Sequence, residues 1–172
     1  MKIVLCGYMG SGKSKVGCLL ANKLSLKNLD LDEVIEKNEH MSVAEIFSRK
    51  SEIYFRKKEN EVLKLLLSNS ESFILSLGGG TPCYANNLEL LKKNKEVKLF
   101  YLKADVNVLS DRLYKEIETR PLIQSQKNKE DLNDFIRKHL FERQFYYMQS
   151  DVIIDVTELT IEETANLIQQ KL

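Results

Sequence analysis

No apolar run in this chain approaches the ~20 residues needed to cross a membrane, and no charged leader with a long apolar core precedes the first apolar stretch. A soluble, cytoplasmic chain, complete as written, is therefore expected. Net charge is also missing: 26 Lys and Arg against 25 Asp and Glu leave +1, although charged residues make up 30% of the sequence. That balance argues against a protein that holds nucleic acid or acidic membrane through a bulk field, so any basic site must be local. Cysteine is scarce and odd in number, and Cys6, Cys18 and Cys83 lack C-x-x-C spacing. Neither a disulfide framework nor a zinc site is indicated, and a reducing compartment fits. Cys6 and Cys18 lie among apolar residues and are expected to be small core residues. The two histidines, His40 and His139, have no partner at catalytic spacing and read as structural. There is no internal repeat, linker or low-complexity stretch, and 172 residues suffice for one domain bounded by the chain ends, not two.

What is present begins with Gly7-Tyr8-Met9-Gly10-Ser11-Gly12-Lys13-Ser14, which fits the phosphate-binding P-loop G-x-x-x-x-G-K-[ST] directly behind the apolar run Lys2 to Cys6. Backbone N–H groups must wrap phosphate oxygens there. Glycines let the chain turn sharply and approach the anion, and the following helix N-terminus adds partial positive charge. In this motif Lys13 reaches the β- and γ-phosphates and Ser14 offers its hydroxyl to Mg²⁺.

Val16, Leu19, Leu20 and Leu24 recur at helical spacing, predicting a helix from Lys13 to about Ser25. Leu29-Asp30-Leu31-Asp32 alternates and reads as the end of a second strand, followed by helix over Glu33 to Lys37. Ser42 with Glu45 is a capping-box signature opening a short helix with Val43, Ile46 and Phe47. A longer helix from about Glu52 to Leu67 buries Phe55, Val62, Leu63, Leu66 and Leu67 and turns Arg56 and Glu59 to a polar face. Phe73 to Leu77 reads as a strand stopped by Gly78-Gly79-Gly80-Thr81-Pro82, and three glycines behind a buried strand point to backbone kept bare for a ligand. A helix around Asn87 to Lys93 leads to a strand at Val97 to Leu102 and a helix carrying Val106, Leu109 and Leu113. From Lys115 to Asn133 the pattern fails, as expected of a lid or a disordered insert. Helix resumes near Leu132 with Phe135, Ile136, His139, Leu140 and Arg143; Val152 to Val156 gives a fifth strand, and Ile161, Ala165, Ile168 and Leu172 the buried face of a last helix. Strands alternating with helices imply a parallel sheet covered on both faces.

The P-loop, Asp30-x-Asp32, Phe55-Arg56 with Glu59, the triple glycine, Arg120-Pro121-Leu122 and Leu140-Phe141-Glu142-Arg143 together resemble the shikimate kinase family in order and spacing over essentially the whole chain. The resemblance implies a single small P-loop kinase domain over 1–172, three-layer α/β/α, with a five-stranded parallel sheet ordered 2-3-1-4-5. A substrate-binding region would span about 31–62 and a mobile lid about 115–133. It further implies transfer of the γ-phosphoryl of ATP to the 3-hydroxyl of shikimate with Mg²⁺ as cofactor, in a cytoplasmic monomer with no nucleic-acid or membrane partner. By resemblance Gly10, Ser11, Gly12, Lys13, Ser14, Lys15, Arg112 and Arg120 bind ATP, and Lys13, Asp32 and Arg120 serve catalysis. Asp32, Arg56, Arg143 and Gly78, Gly79 and Gly80 bind shikimate, a backbone N–H of Gly79 completing the carboxylate site. Ser14 and Asp30 hold the metal. The residues make chemical sense of these roles: an anionic polyhydroxylated ring calls for guanidinium forks rather than a general positive field, and Glu59, three residues from Arg56, can fix that fork.

The chain departs from the family in two places and from other P-loop proteins in a third. Lys15 stands where many relatives carry a small hydroxyl residue, Ser76 where other P-loop proteins place a metal-binding carboxylate, and Thr157 to Leu159 lack the Asn- and Pro-containing adenine loop. Two alternatives stay open on sequence. One is a sister small-molecule kinase for gluconate or a nucleoside monophosphate. The other is a nucleotide-regulated switch, since Asn128-Lys129-Glu130-Asp131 matches the guanine-reading N-K-x-D, though in a polar segment and without any D-x-x-G.

Overall fold

A computed structural model describes residues 1–172, the side chain of Thr119 excepted. Strands β1 (Lys2–Cys6), β2 (Lys27–Asp30), β3 (Phe73–Ser76), β4 (Val97–Lys103) and β5 (Val152–Asp155) form one sheet in the order β2-β3-β1-β4-β5. Every neighbouring pair is parallel. Helices α1 (Lys13–Leu24), α2 (Leu31–Glu39), α3 (Val43–Lys50), α4 (Glu52–Ser68), α5 (Asn87–Lys93), α6 (Val106–Tyr114), α7 (Lys129–Tyr147) and α8 (Ile161–Gln170) cover it. The expected architecture and strand order are therefore both present.

The central strand shows why two layers of helices are needed. All five residues of β1 are buried, and alternate side chains leave the sheet in opposite directions. Ile3 and Leu5 pack with Leu20 of α1, Leu113 of α6, Ile136 of α7 and Ile168 of α8. Val4 and Cys6 pack with Ile35 of α2, Leu63 of α4, Leu91 of α5 and Tyr147. A strand apolar on both faces can sit only inside such a sandwich. The parallel order also brings the loops that follow β1, β2 and β3 to one edge of the sheet, beside one another.

Several expectations are corrected. Asp32 lies in α2, not on a strand: β2 stops at Asp30, whose side chain accepts a hydrogen bond from the Asp32 N–H (3.1 Å) and caps the helix. A carboxylate at that position meets an otherwise unpaired amide and the positive end of the helix, which outweighs the alternating pattern. Cys18 is exposed, whereas Cys6 is buried against the Ser150 hydroxyl (3.3 Å), its thiol pushed up to about 12 by burial. Glu59 is fully buried rather than on a polar face. Leu172 lies beyond the end of α8 and is 38% exposed. The segment from Lys115 to Asn133 is more ordered than its composition implies: a 3₁₀ turn spans Ile117–Thr119, Ile123 is fully buried, and α7 already begins at Lys129. Asn128 caps that helix by accepting from the Asp131 N–H (2.9 Å). The Asn128 to Asp131 match is thus a helix start, not a guanine-reading loop at a strand end. The capping box at Ser42 and Glu45 forms as expected.

Candidate active site

The loop between β1 and α1 turns on Gly12, which holds φ +96 as the N-cap of α1, a conformation that strains any residue with a Cβ. Behind it Lys13 is buried and its Nζ donates to the carbonyls of Gly7 (2.9 Å) and Tyr8 (3.0 Å). Burial pushes this amine down to about 8, while Cys6, Asp30 and Asp32 pull it upward and Arg120 pushes it further down. Arg120, between α6 and α7, therefore lies within electrostatic reach of the P-loop lysine. It is held by Glu116, with Nε to Oε2 at 2.7 Å. The hydroxyl of Ser11 is buried with no hydrogen-bond partner among the described residues. A buried polar atom of that kind at a helix N-terminus fits a loop built to receive anionic oxygens. Lys15 is exposed, and Arg112 from α6 donates to the Gly10 carbonyl (3.1 Å), which ties α6 to the P-loop.

Ser14 donates to Asp30 Oδ2 at 3.0 Å. A hydroxyl and a carboxylate oxygen form a hard donor pair that suits Mg²⁺, a cation that keeps several waters and takes phosphate oxygens besides one or two protein ligands. No cluster of three or more His, Cys, Asp or Glu side chains competes as a metal centre among the described residues. The residues present therefore fit the ion the resemblance implies.

Opposite the P-loop, each glycine of the triple faces a different charged side chain. A Cβ on Gly78 would stand 2.8 Å from Asp32 Oδ1, and one on Gly80 2.8 Å from Arg56 Nη2. A Cβ on Gly79 would stand 3.4 Å from Arg143 Nη1 and 3.7 Å from both the Gly7 carbonyl and the Met9 nitrogen. This loop thus joins Asp32 from α2, Arg56 from α4 and Arg143 from α7, and its middle residue, Gly79, lies against the P-loop. Side chains at 78 or 80 would displace the groups they touch.

Two residues that sequence reasoning gave no role support this site, Tyr147 at the triple glycine and Tyr8 in the P-loop. The hydroxyl of Tyr147, fully buried, donates to the Gly79 carbonyl. Tyr147 is one helical turn beyond Arg143, so α7 positions both the loop and the fork. Tyr8, buried in the P-loop, pairs through its hydroxyl with His139 Nδ1 (3.2 Å), and the Arg143 guanidinium lies 5.8 Å from its ring centroid. His139 packs against Phe135 at 4.3 Å between ring centroids, in keeping with a structural role.

Buried Glu59 accepts from Arg56 Nη1 with both oxygens (3.2 and 3.1 Å) and from Thr81 Oγ1 (2.6 Å). It therefore ties α4 to the turn that follows the triple glycine. Burial raises the Glu59 carboxyl above its ordinary range despite Arg56, Thr81 and Arg143, which pull it down. Asp32 is raised to about 6, by burial first and then by the like charges of Asp30 and Glu59, with Lys13 and Arg56 opposing. A carboxylate poised near neutrality can both accept a hydrogen bond and take a proton. At the same sheet edge, a cavity of about 500 Å³ lined by Lys103, Asp105, Asp155, Thr157, Glu158 and Leu159 follows β4 and β5. Its polar lining is tied together by Thr157, whose Oγ1 accepts from the Asp105 N–H (3.1 Å) and donates to Asp155 (2.5 Å).

Comparison with known proteins supplies the family. The family model described as shikimate kinase matches residues 9–172. A shikimate kinase of Flavobacterium psychrophilum is 49% identical over 156 residues, 90% of each chain, and one of Flavobacterium johnsoniae is 47% identical over 95% of this chain and 94% of its own. Among solved structures, a shikimate kinase from Bacteroides thetaiotaomicron superposes with a TM-score of 0.91 at 33% identity, covering 99% of this chain and 97% of the other. The Acinetobacter baumannii shikimate kinase, solved in complex with shikimate, gives a TM-score of 0.87 at 32% identity, covering 99% and 91%. A P-loop facing an aspartate and two arginines gathered by three glycines, in a chain matched over nearly its full length, makes this protein a member of the shikimate kinase family.

Proposed function

We propose that this chain transfers the γ-phosphoryl of ATP to the 3-hydroxyl of shikimate, giving shikimate 3-phosphate and ADP on the route to chorismate and the aromatic amino acids. The observation that carries the reading is the convergence of Asp32, Arg56 and Arg143 on Gly78, Gly79 and Gly80 beside the P-loop. Two guanidinium forks and a backbone N–H at Gly79 suit one carboxylate, and Asp32 suits ring hydroxyls. The family's solved complex with shikimate supports the same acceptor.

In this reading the backbone of Gly10, Ser11, Gly12, Ser14 and Lys15 cradles the phosphates. Lys13 leaves the carbonyls of Gly7 and Tyr8 to meet the β- and γ-oxygens, and Arg112 lies against the nucleotide. Asp32 aligns the attacking hydroxyl and accepts its proton. Arg120 adds positive charge from the lid and helps to exclude water, which would otherwise compete as acceptor. Ser14 and Asp30 would hold Mg²⁺, which when bound neutralises phosphate charge. Phosphoryl transfer asks for alignment and charge neutralisation rather than covalent help, which is what these groups offer. The chain would act as a cytoplasmic monomer without nucleic-acid or membrane partners, in keeping with its balanced charge and with a site drawn from one chain.

An ADP-release assay with Mg²⁺·ATP and, in separate arms, shikimate, gluconate, the nucleoside monophosphates or no acceptor tests the reading. Shikimate is expected to accelerate ADP release far above every other arm. No rate above the acceptor-free background with shikimate would overturn it.

A further inference from the structure

We propose that Tyr84 is a positioning residue for the acceptor site: its ring bears the Arg56 guanidinium and holds that fork in the orientation in which it meets the acceptor's carboxylate. The inference rests on the acceptor reading above and assigns a further residue to it. The Arg56 Cζ lies 3.9 Å from the Tyr84 ring centroid, closer than the 5.2 Å to the ring of its neighbour Phe55. At that distance the guanidinium is stacked, within the range where a ring attracts a cation and leaves the planar edges for hydrogen bonds.

The stack supplies what the hydrogen bonds of Arg56 do not. Glu59 takes Nη1, while Nε and Nη2 make only 3.4 Å contacts with Glu52, whose side chain is half exposed. One edge of the fork is firmly fixed and the other is loosely held; the ring resists rotation about the fixed edge. Nη2, the nitrogen nearest Gly80, is the one this arrangement presents beside the triple glycine.

The segment that carries the ring is in turn anchored to the helix that carries Arg56. Asn60, one turn further along α4, donates to Asn86 Oδ1 (2.9 Å) and Asn87 Oδ1 (2.7 Å). The Asn87 side chain donates to the Thr81 carbonyl (2.9 Å) and its backbone N–H to the Tyr84 carbonyl (3.3 Å). Between them Ala85 takes φ 49, so the chain turns sharply just after Tyr84. Tyr84 is 37% exposed, so a core role does not account for a large ring placed there.

Tyr84→Ala, Tyr84→Phe and the pair Tyr84→Ala with Arg56→Lys test the inference by steady-state kinetics on the full chain. Loss of a half-exposed stack should raise the KM for shikimate roughly three- to tenfold, with kcat and the KM for ATP within about twofold of the parent. Tyr84→Phe keeps the ring and should restore the parent KM, and in the Arg56→Lys background the alanine substitution should lose most of its effect. An unchanged shikimate KM in Tyr84→Ala, equal losses toward ATP and shikimate, or a phenylalanine variant as weak as alanine would overturn the inference alone. A parent chain that does not phosphorylate shikimate would overturn both the inference and the reading beneath it.

Discussion

Asp32→Asn should lower kcat with shikimate by about a hundred- to ten-thousandfold while ATP affinity, measured by calorimetric titration, stays within about threefold of the parent. Asparagine keeps the shape and one acceptor oxygen but cannot take the proton. Because burial and the charges of Asp30 and Glu59 raise Asp32 to about 6, the parent's kcat/KM should fall as pH drops below about 6. The amine of Lys13, at about 8, sets a falling limb on the alkaline side if its charge is what meets phosphate. Equal loss of turnover and ATP binding in Asp32→Asn would contradict an acceptor-side role.

The same substitution should also stabilise the fold. A carboxyl whose folded value is raised binds its proton more tightly when folded, so its ionisation costs stability above the folded value and nothing below the unfolded one. A rise from 3.8 to about 6 corresponds to about 3 kcal/mol. Asp32→Asn should therefore gain about 1–3 kcal/mol at pH 7.5, and the gain should vanish below the ordinary carboxyl value of 3.8. Thermal denaturation of parent and variant at both pH values measures the difference; a loss at pH 7.5 would contradict it.

Glu59→Ala should do the reverse, destabilising the fold by about 2–3 kcal/mol and raising the KM for shikimate at least tenfold. Removing one member of a buried ion pair commonly costs more than this, but the Arg56 side chain is 17% exposed and Glu52 lies nearby, which softens the loss. The damage extends past the pair, since Thr81 loses its acceptor and the triple-glycine turn its tie to α4. Burial holds the Glu59 carboxyl above its ordinary range, so attraction to Arg56 does not fully offset desolvation. The pair therefore serves placement more than stability, and Glu59→Gln, which can still accept from Thr81, should keep more of the fold than of the shikimate affinity. Chemical denaturation with the shikimate KM checks both; stability within about 0.5 kcal/mol of the parent in Glu59→Ala would contradict the account.

How far the sequence foretold this site depends on whether the relevant contact is local. The P-loop and the capping box at Ser42 follow from neighbours within a few residues, and each forms as read. Leu29 to Asp32 alternates like a strand, and only the capping preference of Asp30 places Asp32 in a helix instead. Glu59 is instructive in another way: it lies four residues after Phe55 and three before Val62, in the buried stripe of α4 by spacing alone. Its charge argued for solvent, and the partner that makes burial tolerable, Thr81, is 22 residues away. Cys18 shows the converse, an apolar residue whose helical position turns it away from the stripe of Val16, Leu20 and Leu24. Tyr84 and Tyr147 carried no signal, because their partners Arg56 and Gly79 are distant in sequence and meet only when the sheet forms.

What the P-loop receives and what the triple glycine gathers should be the two ends of one reaction, and the product shows this most directly. Phosphorus-31 NMR of the chain with Mg²⁺·ATP and shikimate should show one phosphate monoester on the shikimate 3-oxygen for each ADP formed. ADP accompanied only by inorganic phosphate, or no consumption of ATP, would contradict an acceptor site built by Asp32, Arg56, Gly79 and Arg143.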